Sequence, residues 1–513
     1  MGAMSSRKIV TVVAAACVLL AACGSRVEPL AQQPGGPVQT QGPATGGSGP
    51  AGPSTGPGVV GPSLAPGGGG GPPPSILRKD CHGGATDTGV TATTVKLGLV
   101  ATLTGAIAGQ FDAEVEAVDS YFRAINDAGG ICGRRFEVLI RDDNGDKDTD
   151  LAVATKLAES DHVFAFVGSV AAPHDNGISQ VSRRFKMPDL GFPLSWERTE
   201  SPYTFGVPGA VQHEWTGEGA GGTVWLTKHK GIKQVALFWL RESEVSVLSA
   251  WGFEAAILKA TNGKVKICHE QPSGVFDINY TNYVVAMESD CPVGDGPLGV
   301  YTTMENNGNL KLARAMVGQD FHPAVYAPTF TSYLPDFIKK ADGATEGAYI
   351  AMPQIPFERL DQPQSTWTPG TYEAKRYLDT LHRYYQNPHD AGSFGAPGWA
   401  TAALFAETAA FCGANLTRAC VLNRLETRGP FSANGFVSPN RPGAHTIYHA
   451  DLLVQVRNGR FVEVRPDDKG GPPGGPDFWD NSVLFNWGCY FATHSDQFPD
   501  AATKRTLVRG RCP

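Results

Sequence analysis

Short apolar runs alternate with segments of helical periodicity from Val95 onward. The run 95–101 predicts a buried strand, and apolar residues then recur three and four positions apart from 111 to 125, which predicts a one-sided helix that stops at Gly129-Gly130. The same alternation recurs at 136–140, 151–157, 163–167, 235–239, 245–260, 298–301 and 310–317. This pattern predicts an α/β fold with parallel sheets, helices on both faces and right-handed crossovers. Since one sheet would need more than about ten strands, two doubly wound lobes are favoured.

The first residues have the pattern of an export signal. Arg7 and Lys8 precede an apolar run from 9 to 20, which is shorter than the stretch of about 20 apolar residues that a membrane-spanning helix needs. The run closes with Leu20-Ala21-Ala22-Cys23, which is similar to the lipobox of bacterial lipoproteins. We predict a signal peptide over 1–22 and lipidation of Cys23, with an ordinary buried cysteine as the alternative.

A segment rich in glycine and proline follows the predicted signal. From Pro34 to Pro74, 26 of 41 residues are Gly or Pro, and no charged residue lies between Glu28 and Arg78. Such a segment buries too little apolar surface to offset the entropy of ordering it. We therefore predict that 23–80 is a disordered tether between a lipid anchor and the folded part.

Charge and motifs exclude several classes of function. The chain has 43 Lys and Arg against 50 Asp and Glu, a formal charge of −7, so no overall basic field favours nucleic acid. It contains no HExxH motif and no P-loop, and Asp142–Asp146 lacks the register of a calcium loop. No activated nucleophile stands out. We predict no enzymatic activity, no cofactor and no metal.

Eight cysteines remain after Cys17 of the signal and Cys23 are set aside from the ten in the chain. An even number in an exported protein predicts disulfides. A metal site is the weaker explanation, because none of the eight lies in a CxxC motif and no His has zinc-finger spacing from a pair. Their clustering favours local pairs, which are Cys268–Cys291, Cys412–Cys420, Cys489–Cys512 and, by what remains, Cys81–Cys132.

Several segments together resemble the type I periplasmic-binding proteins of branched-chain amino-acid ABC importers, a leucine-binding-protein-like family. They are Gly89-Val90-Thr91, the strand 95–99, Thr104-Gly105, the string Ala124–Gly133, Asp142-Asp143 and Val167-Gly168-Ser169. The resemblance implies two Rossmann-like lobes joined by three crossovers, with the ligand held in the cleft between them. It assigns 91–208 plus 346–435 to lobe 1 and 209–345 plus 436–466 to lobe 2, and leaves 467–513 as a cysteine-containing tail.

Candidate contacts in lobe 1 follow strand ends, where ligands of open α/β sheets bind. Ser169 and Val170 follow the strand 164–167, so Ser169 is placed to donate to a carboxylate or carbonyl oxygen, although a helix-capping serine is the alternative. The resemblance adds Phe192 and Ser195 as the second half of a carboxylate clamp. It also places Gln110 in the pocket, where a solvated helix-start glutamine is an equal alternative.

Candidate contacts in lobe 2 depart from the family pattern. Relatives that bind amino acids place an acidic residue where Thr329 stands here, to pair with the ligand ammonium. Glu305, in the same loop as Thr303, is the candidate substitute, and a solvated loop glutamate is the alternative. Amides, carboxylates and aromatic solutes thus join amino acids as expected ligands. Four tryptophans are candidates for stacking on a ring or for ordinary packing, namely Trp196, Trp215, Trp239 and Trp251.

These observations together predict an extracytoplasmic solute-binding protein, lipid-anchored to a bacterial cell membrane. It captures a small molecule of amino-acid, amide or small carboxylate type and delivers it to an ABC importer. Its expected partners are the solute, the permease and the membrane through the lipid anchor, and the expected state is a monomer. The alternative is a cell-envelope ligand sensor, or a partner-binding scaffold, on the same fold without transport.

Overall fold

The computed structural model describes residues 76–78, 80–206, 220–389, 392–445, 450–464, 479–480, 487–501 and 504. The predicted signal peptide, the lipidation site Cys23, nearly all of the predicted tether, Trp215 and Cys512 lie outside these residues. Across the described part of the chain, no helix combines the length and the apolar character needed to cross a bilayer.

The first sheet has five parallel strands in the order β2-β1-β3-β4-β5. They are β1 Thr94–Ala101, β2 Arg135–Asp142, β3 Ala165–Ser169, β4 Asp189–Gly191 and β5 Thr204–Gly206. Successive side chains of a strand point to opposite faces, so Leu97 and Leu99 join one buried cluster and Val100 joins another. Both faces are therefore covered, as the apolar run 95–101 predicts.

The second sheet has four parallel strands in the order β7-β6-β8-β9. They are β6 Gln234–Leu240, β7 Lys266–Ser273, β8 Leu298–Thr302 and β9 Val325–Ala327. A third, antiparallel sheet is built from β10 Tyr349–Met352, β11 Ala450–Arg457, β12 Arg460–Val464 and β13 Trp479–Asp480. The sequence pattern predicts the two parallel sheets and not the antiparallel one.

Thirteen α-helices are found among the described residues. They are α1 Asp112–Asp127, α2 Lys147–Glu159, α3 Asn176–Phe185, α4 Trp196–Thr199, α5 Ala220–His229, α6 Glu244–Thr261, α7 Tyr280–Asp290, α8 Asn306–Gly318, α9 Pro335–Lys339, α10 Pro369–Tyr384, α11 Gly395–Cys412, α12 Arg418–Thr427 and α13 Trp487–His494. The helix predicted from the 111–125 periodicity is α1. The helices α1 and α11 pack together on one face of the first sheet, and α2 and α3 pack together on the other.

We call β1–β5 with α1–α4 and α10–α12 the first lobe, and β6–β13 with α5–α9 and α13 the second lobe. The predicted α/β fold with two doubly wound lobes is confirmed. The predicted boundaries assign 346–435 to lobe 1, yet β10 within that range pairs with β11, which they assign to lobe 2. The return of the chain to the first lobe therefore follows β10, because that strand completes the antiparallel sheet.

Three of the predicted cysteine pairs are joined in the structure. Disulfides link Cys81 to Cys132, Cys268 to Cys291 and Cys412 to Cys420. The fourth pair, Cys489–Cys512, includes a residue outside the described part of the chain and stays a prediction.

The described part of the predicted tail packs on the second lobe. Phe491 of α13 joins the apolar cluster that contains Trp251 of α6. The ammonium of Lys504 is buried and lies 2.7 Å from Glu254 and 2.6 Å from Glu270. Helix α13 and this ion-pair group thus attach the tail to α6 and β7.

Candidate ligand-binding cleft

A cleft lies where the carboxyl ends of the two parallel sheets meet. It encloses about 740 Å³, including its opening to solvent. The lining comes from both lobes and consists of Ile107, Gln110, Phe111, Ala172, Pro173, Phe192, Leu194, Leu240, Ser243, Val245, Ser246, Ser249, Val275, Thr303, Met304, Glu305, Thr329, Phe330, Thr331 and Phe394. All but Phe394 lie at or after the end of a parallel strand, which is where open α/β sheets bind ligands.

Four phenylalanine rings form the floor of the cleft. Phe394 contacts Phe111, Phe192 and Phe330, with ring centroids 4.8, 5.4 and 5.2 Å apart. Phe192 and Phe330 are 5.7 Å apart and come from different lobes. Phe394 reaches this position because it directly precedes α11, the helix packed on α1. The floor is thus an aromatic contact between the lobes.

The lining is mainly apolar and carries one charged side chain. Twelve of the twenty residues are apolar, and Glu305 is the only ionisable one. No Lys, Arg or His occurs among these described lining residues. The mixture of apolar walls with a few hydroxyls is typical of small-molecule pockets.

Five of the predicted contact residues do line the cleft, and three do not. Gln110, Phe192, Thr303, Glu305 and Thr329 belong to the lining, whereas Ser169, Val170 and Ser195 do not. The Ser169 hydroxyl is fully buried and accepts a hydrogen bond from the Val100 amide at 3.1 Å. Ser195 is the N-cap of α4, with its hydroxyl accepting from the Arg198 amide at 3.3 Å. Ser195 is therefore a helix cap, whereas the Ser169 hydroxyl bonds to the neighbouring strand β1 and not to a helix N-terminus.

Arg198 holds the backbone behind the wall of the cleft from inside the first lobe. Its guanidinium is fully buried and bonds both carboxylate oxygens of Asp189, at 2.8 and 2.9 Å, and one of Asp175 at 3.0 Å. It also donates to the carbonyl oxygens of Ser169 and Phe192. These bonds tie the ends of β3 and β4 together inside the first lobe. Ala172, Pro173 and Leu194 are left to form the wall.

Backbone amides on this wall are also engaged. The Ala172 amide donates to the Thr102 hydroxyl at 2.9 Å, and the Leu194 amide donates to Asp175 at 2.6 Å. Pro173 and Pro193 have no amide hydrogen. The carboxylate clamp that the family resemblance implies here is therefore replaced by an apolar wall.

Glu305 acts as a helix cap at the edge of the cleft. Its carboxylate accepts hydrogen bonds from the amides of Asn307 and, at 2.7 Å, Gly308, which caps α8. Burial raises the pKa of Glu305, and the two backbone hydrogen bonds oppose that rise. A capped carboxylate at a helix N-terminus is a common structural arrangement.

The threonines of the second lobe already have partners. Thr303 donates to the Ser246 carbonyl at 2.7 Å, and Thr331 donates to the Met304 carbonyl at 2.9 Å. The Thr329 hydroxyl lies 3.1 Å from that of Thr331. Gln110 of the first lobe reaches across to the Thr331 carbonyl at 3.5 Å. These contacts hold the strand ends and link the two lobes.

Sequence reasoning missed the lining that follows β6. Ser243, Val245, Ser246 and Ser249 enter the cleft from the first turns of α6. The strand-end rule used for Ser169 applies equally to β6 and is the signal that finds them. Trp196, Trp239 and Trp251 are buried in the apolar cluster of the second lobe and not in the lining. These three tryptophans therefore pack in the core, which is the alternative to stacking on a ligand.

Comparisons with known proteins agree with this architecture. A family model described as "Periplasmic binding protein" matches residues 94–461. No curated protein matches the chain. Similar solved structures include a fatty acid ABC transporter substrate-binding protein from Thermomonospora curvata, with 18% identity, a TM-score of 0.62 and coverage of 80% of this chain and 97% of the other.

Two further similar structures have an amino acid in the name of the protein. A leucine binding protein from Thermotoga maritima is 17% identical, with a TM-score of 0.59 over 73% of this chain and 99% of its own. A branched-chain amino acid transporter substrate-binding protein from Streptococcus pneumoniae, solved with isoleucine, is 17% identical, with a TM-score of 0.57 over 72% and 100%. At such identities these likenesses show the fold, whereas the family match spans well over half of the sequence. The chain therefore belongs to the periplasmic binding protein family of extracytoplasmic solute-binding proteins.

Proposed function

We propose that this chain is a lipid-anchored solute-binding protein that captures a small molecule between its lobes and delivers it to an ABC importer. The observation that carries the proposal is the cleft itself, which is lined by strand ends of both lobes. The similar structures named above include an ABC transporter substrate-binding protein, a second transporter substrate-binding protein and a leucine binding protein, which supports the importer as partner.

Contacts across the cleft support closure around the ligand. The Trp196 amide of the first lobe donates to Glu244 of the second at 3.0 Å, and Phe192 contacts Phe330. A ligand that bridges the lobes binds the closed arrangement better than an open one and shifts the population towards it. The permease then distinguishes loaded from empty protein by this arrangement.

The lining favours binding over catalysis. Among its described residues there is no Cys, His or Lys, and the one carboxylate, Glu305, is engaged as a helix cap. A general acid and base pair, or an activated nucleophile, would need such groups within hydrogen-bond reach of one another. A hydrolytic activity lost on substitution of one lining residue would contradict this reading.

A thermal-shift screen of the purified chain tests solute binding. We expect one ligand from a panel of amino acids, amides, carboxylates, polyamines and sugars to raise the melting temperature. At 100 times its dissociation constant a ligand adds about 2.7 kcal/mol of stability. Ser249→Trp should abolish the shift, because the indole fills the cleft beside α6. Lys259→Trp adds the same side chain at an exposed position of the same helix and should keep it. A shift that survives Ser249→Trp would place the ligand elsewhere.

The proposed lipid anchor rests on the pattern Leu20-Ala21-Ala22-Cys23. We expect Cys23→Ala to move the protein from the membrane fraction to the soluble extracytoplasmic fraction, because the acylated sulfur is lost. Cys17→Ala, inside the predicted signal, should leave the protein with the membrane. Fractionation followed by immunoblotting measures both variants. Membrane attachment that persists in Cys23→Ala would contradict the lipobox.

The second candidate function is a ligand sensor or partner-binding scaffold without transport. The replaced carboxylate clamp favours it, since the wall at Ala172, Pro173 and Leu194 departs from the amino-acid carriers. A screen in which no ligand shifts the melting temperature would move the proposal to this candidate.

A further inference from the structure

We infer that the cleft takes an uncharged, predominantly apolar small molecule with a hydroxyl or carbonyl group, and not an amino acid or a carboxylate. The inference rests on the proposed function, because it assumes that the cleft holds a ligand. It narrows the predicted ligand class of amino acids, amides and small carboxylates to neutral compounds.

Apolar surface covers the cleft on several sides. The floor consists of the four phenylalanine rings, and the wall of the first lobe is formed by Ala172, Pro173 and Leu194. Leu240, Val245 and Val275 extend the apolar surface onto the second lobe. A ligand that fills this space exchanges its contact with water for contact with hydrocarbon on both lobes. This exchange favours a ligand whose surface is mostly apolar.

A carboxylate has no cationic partner in this cleft. The buried guanidinium of Arg198 lies behind the wall and is already paired with Asp175 and Asp189. At the second lobe, Arg241 pairs with Asp277, its two nitrogens lying 2.9 and 3.0 Å from the two carboxylate oxygens. Burying an anion without a partner is strongly unfavourable. Anionic ligands are therefore selected against.

An amino-acid ammonium would have to share its one carboxylate partner with a helix cap. Glu305 is the only carboxylate in the lining, and both of its oxygens accept backbone amides of α8. An ammonium would have to compete with this cap. A zwitterion needs partners for both of its charges in the same cleft. The missing carboxylate clamp and the engaged Glu305 therefore both disfavour the binding of an amino acid.

Hydroxyls on α6 supply the polar contacts for a neutral ligand. Ser243 accepts from the Ser246 amide, and its own hydroxyl hydrogen is not used in that bond. Ser249, one and a half turns further along α6, makes no hydrogen bond to any residue in the described part of the chain. Two serine hydroxyls at one side of an apolar cleft fit a ligand with one carbonyl or hydroxyl group.

The loop after β7 carries two exposed apolar side chains close in sequence to a lining residue. Val275 lines the cleft, and the next side chains are Phe276, 78% exposed, and Ile278, 90% exposed. Asp277 between them holds the loop in place, since it accepts from Tyr283 at 2.6 Å and from the Gly274 amide at 2.6 Å, besides Arg241. The rim thus offers apolar contact to a ligand longer than the cleft.

A matched pair of fluorescent probes tests the charge preference in the full chain, purified and transferred to detergent-free buffer. N-phenyl-1-naphthylamine is neutral, and 8-anilino-1-naphthalenesulfonate has the same rings with one added sulfonate. We expect the neutral probe to bind at least about tenfold tighter, because the sulfonate has no cationic partner. Octanamide should displace the bound probe better than octanoate, octylamine or leucine do.

Two variants connect the probe to the cleft. Ser249→Trp should weaken binding of the neutral probe at least tenfold, whereas Lys259→Trp should not change it. Leu194→Lys places an ammonium on the wall and should shift the preference towards the sulfonate by about tenfold. Near-ultraviolet circular dichroism checks that each variant is folded.

Three results would overturn the inference. The first is a sulfonate probe that binds as tightly as the neutral one, the second is displacement led by octanoate or leucine, and the third is neutral-probe binding that is absent or unaffected by Ser249→Trp. A charged ligand that shifts the melting temperature and is lost in Ser249→Trp would overturn the inference and leave the proposed function intact. If no ligand of any class binds in the cleft, both the inference and the proposed function fail.

Discussion

Replacing Arg198 with methionine should lower the free energy of unfolding by about 3–5 kcal/mol. The substitution keeps a long apolar side chain but leaves Asp175 and Asp189 buried without their cation. Burial by itself lowers the pKa of a guanidinium, yet the carboxylates of Asp189 and Asp175 raise that of Arg198 above its usual range. The loss should extend to ligand binding, because the bonds to the Ser169 and Phe192 carbonyls fix the strand ends at the cleft.

Urea denaturation followed by circular dichroism measures this effect. Arg184→Met is the matched control, because Arg184 pairs with Glu159 on the surface, with side chains 67% and 41% exposed. Such a pair contributes about 0–1 kcal/mol. Adding Asp175→Asn and Asp189→Asn to Arg198→Met should recover part of the loss by removing the unpaired charges. A cost for Arg198→Met no greater than that of the control would refute the role given to the buried ion pairs.

Asp150→Asn should stabilise the protein at pH 7 by about 1–3 kcal/mol and have little effect near pH 3. Asp150 is fully buried in α2, and burial together with the nearby Asp175 raises its pKa from 3.8 to about 8. The unfolded chain releases this proton near pH 3.8, whereas the folded protein keeps it until about pH 8. Between these values the folded state binds more protons, so stability falls as the pH rises. Asparagine does not ionise and removes this loss.

Unfolding curves at pH values from 3 to 8 measure the difference between the variant and the parent protein. Asp148→Asn, in the first turn of the same helix but exposed, should change the free energy of unfolding little at any of these values. Asparagine at position 150 can keep the hydrogen bond that the Gly177 amide donates at 2.7 Å. A stability difference that does not grow with pH would show that Asp150 is not the group responsible.

Local patterns in the sequence predict the parts of the fold that depend on neighbours along the chain. The periodicity from 111 to 125 predicts α1, and the apolar runs predict β1, β2, β3, β6 and β8 of the nine parallel strands in the described residues. Two of the three disulfides in the structure, Cys268–Cys291 and Cys412–Cys420, join cysteines that are close in sequence. The third, Cys81–Cys132, joins two of the cysteines that remain once the local pairs are assigned. The antiparallel sheet was missed because β10 and β11 lie about a hundred residues apart, and no local pattern records such a pairing.

The candidate site likewise contains some residues that the sequence predicts and others that it does not. The family resemblance places Gln110 and Phe192 at the cleft, and both of them, like Thr303, follow the end of a parallel strand. The strand-end rule depends only on the order of strands and helices. It does not give the direction of a side chain. The Ser169 hydroxyl is engaged inside the first lobe by the Val100 amide, 69 residues away in the sequence. Phe394 joins the floor through the packing of α11, which the sequence alone does not indicate.

The position of the lining relative to the sheets has an evolutionary consequence. Apart from Leu240, the last residue of β6, the lining residues lie outside the parallel strands. Substitutions that alter the chemistry of the cleft therefore fall on connecting segments, although several of these residues, among them Phe192, Phe330 and Phe394, also belong to the buried core. A lineage with this fold can therefore alter its cleft without changing its parallel strands, but at the buried positions each change of ligand contact is also a change of core packing.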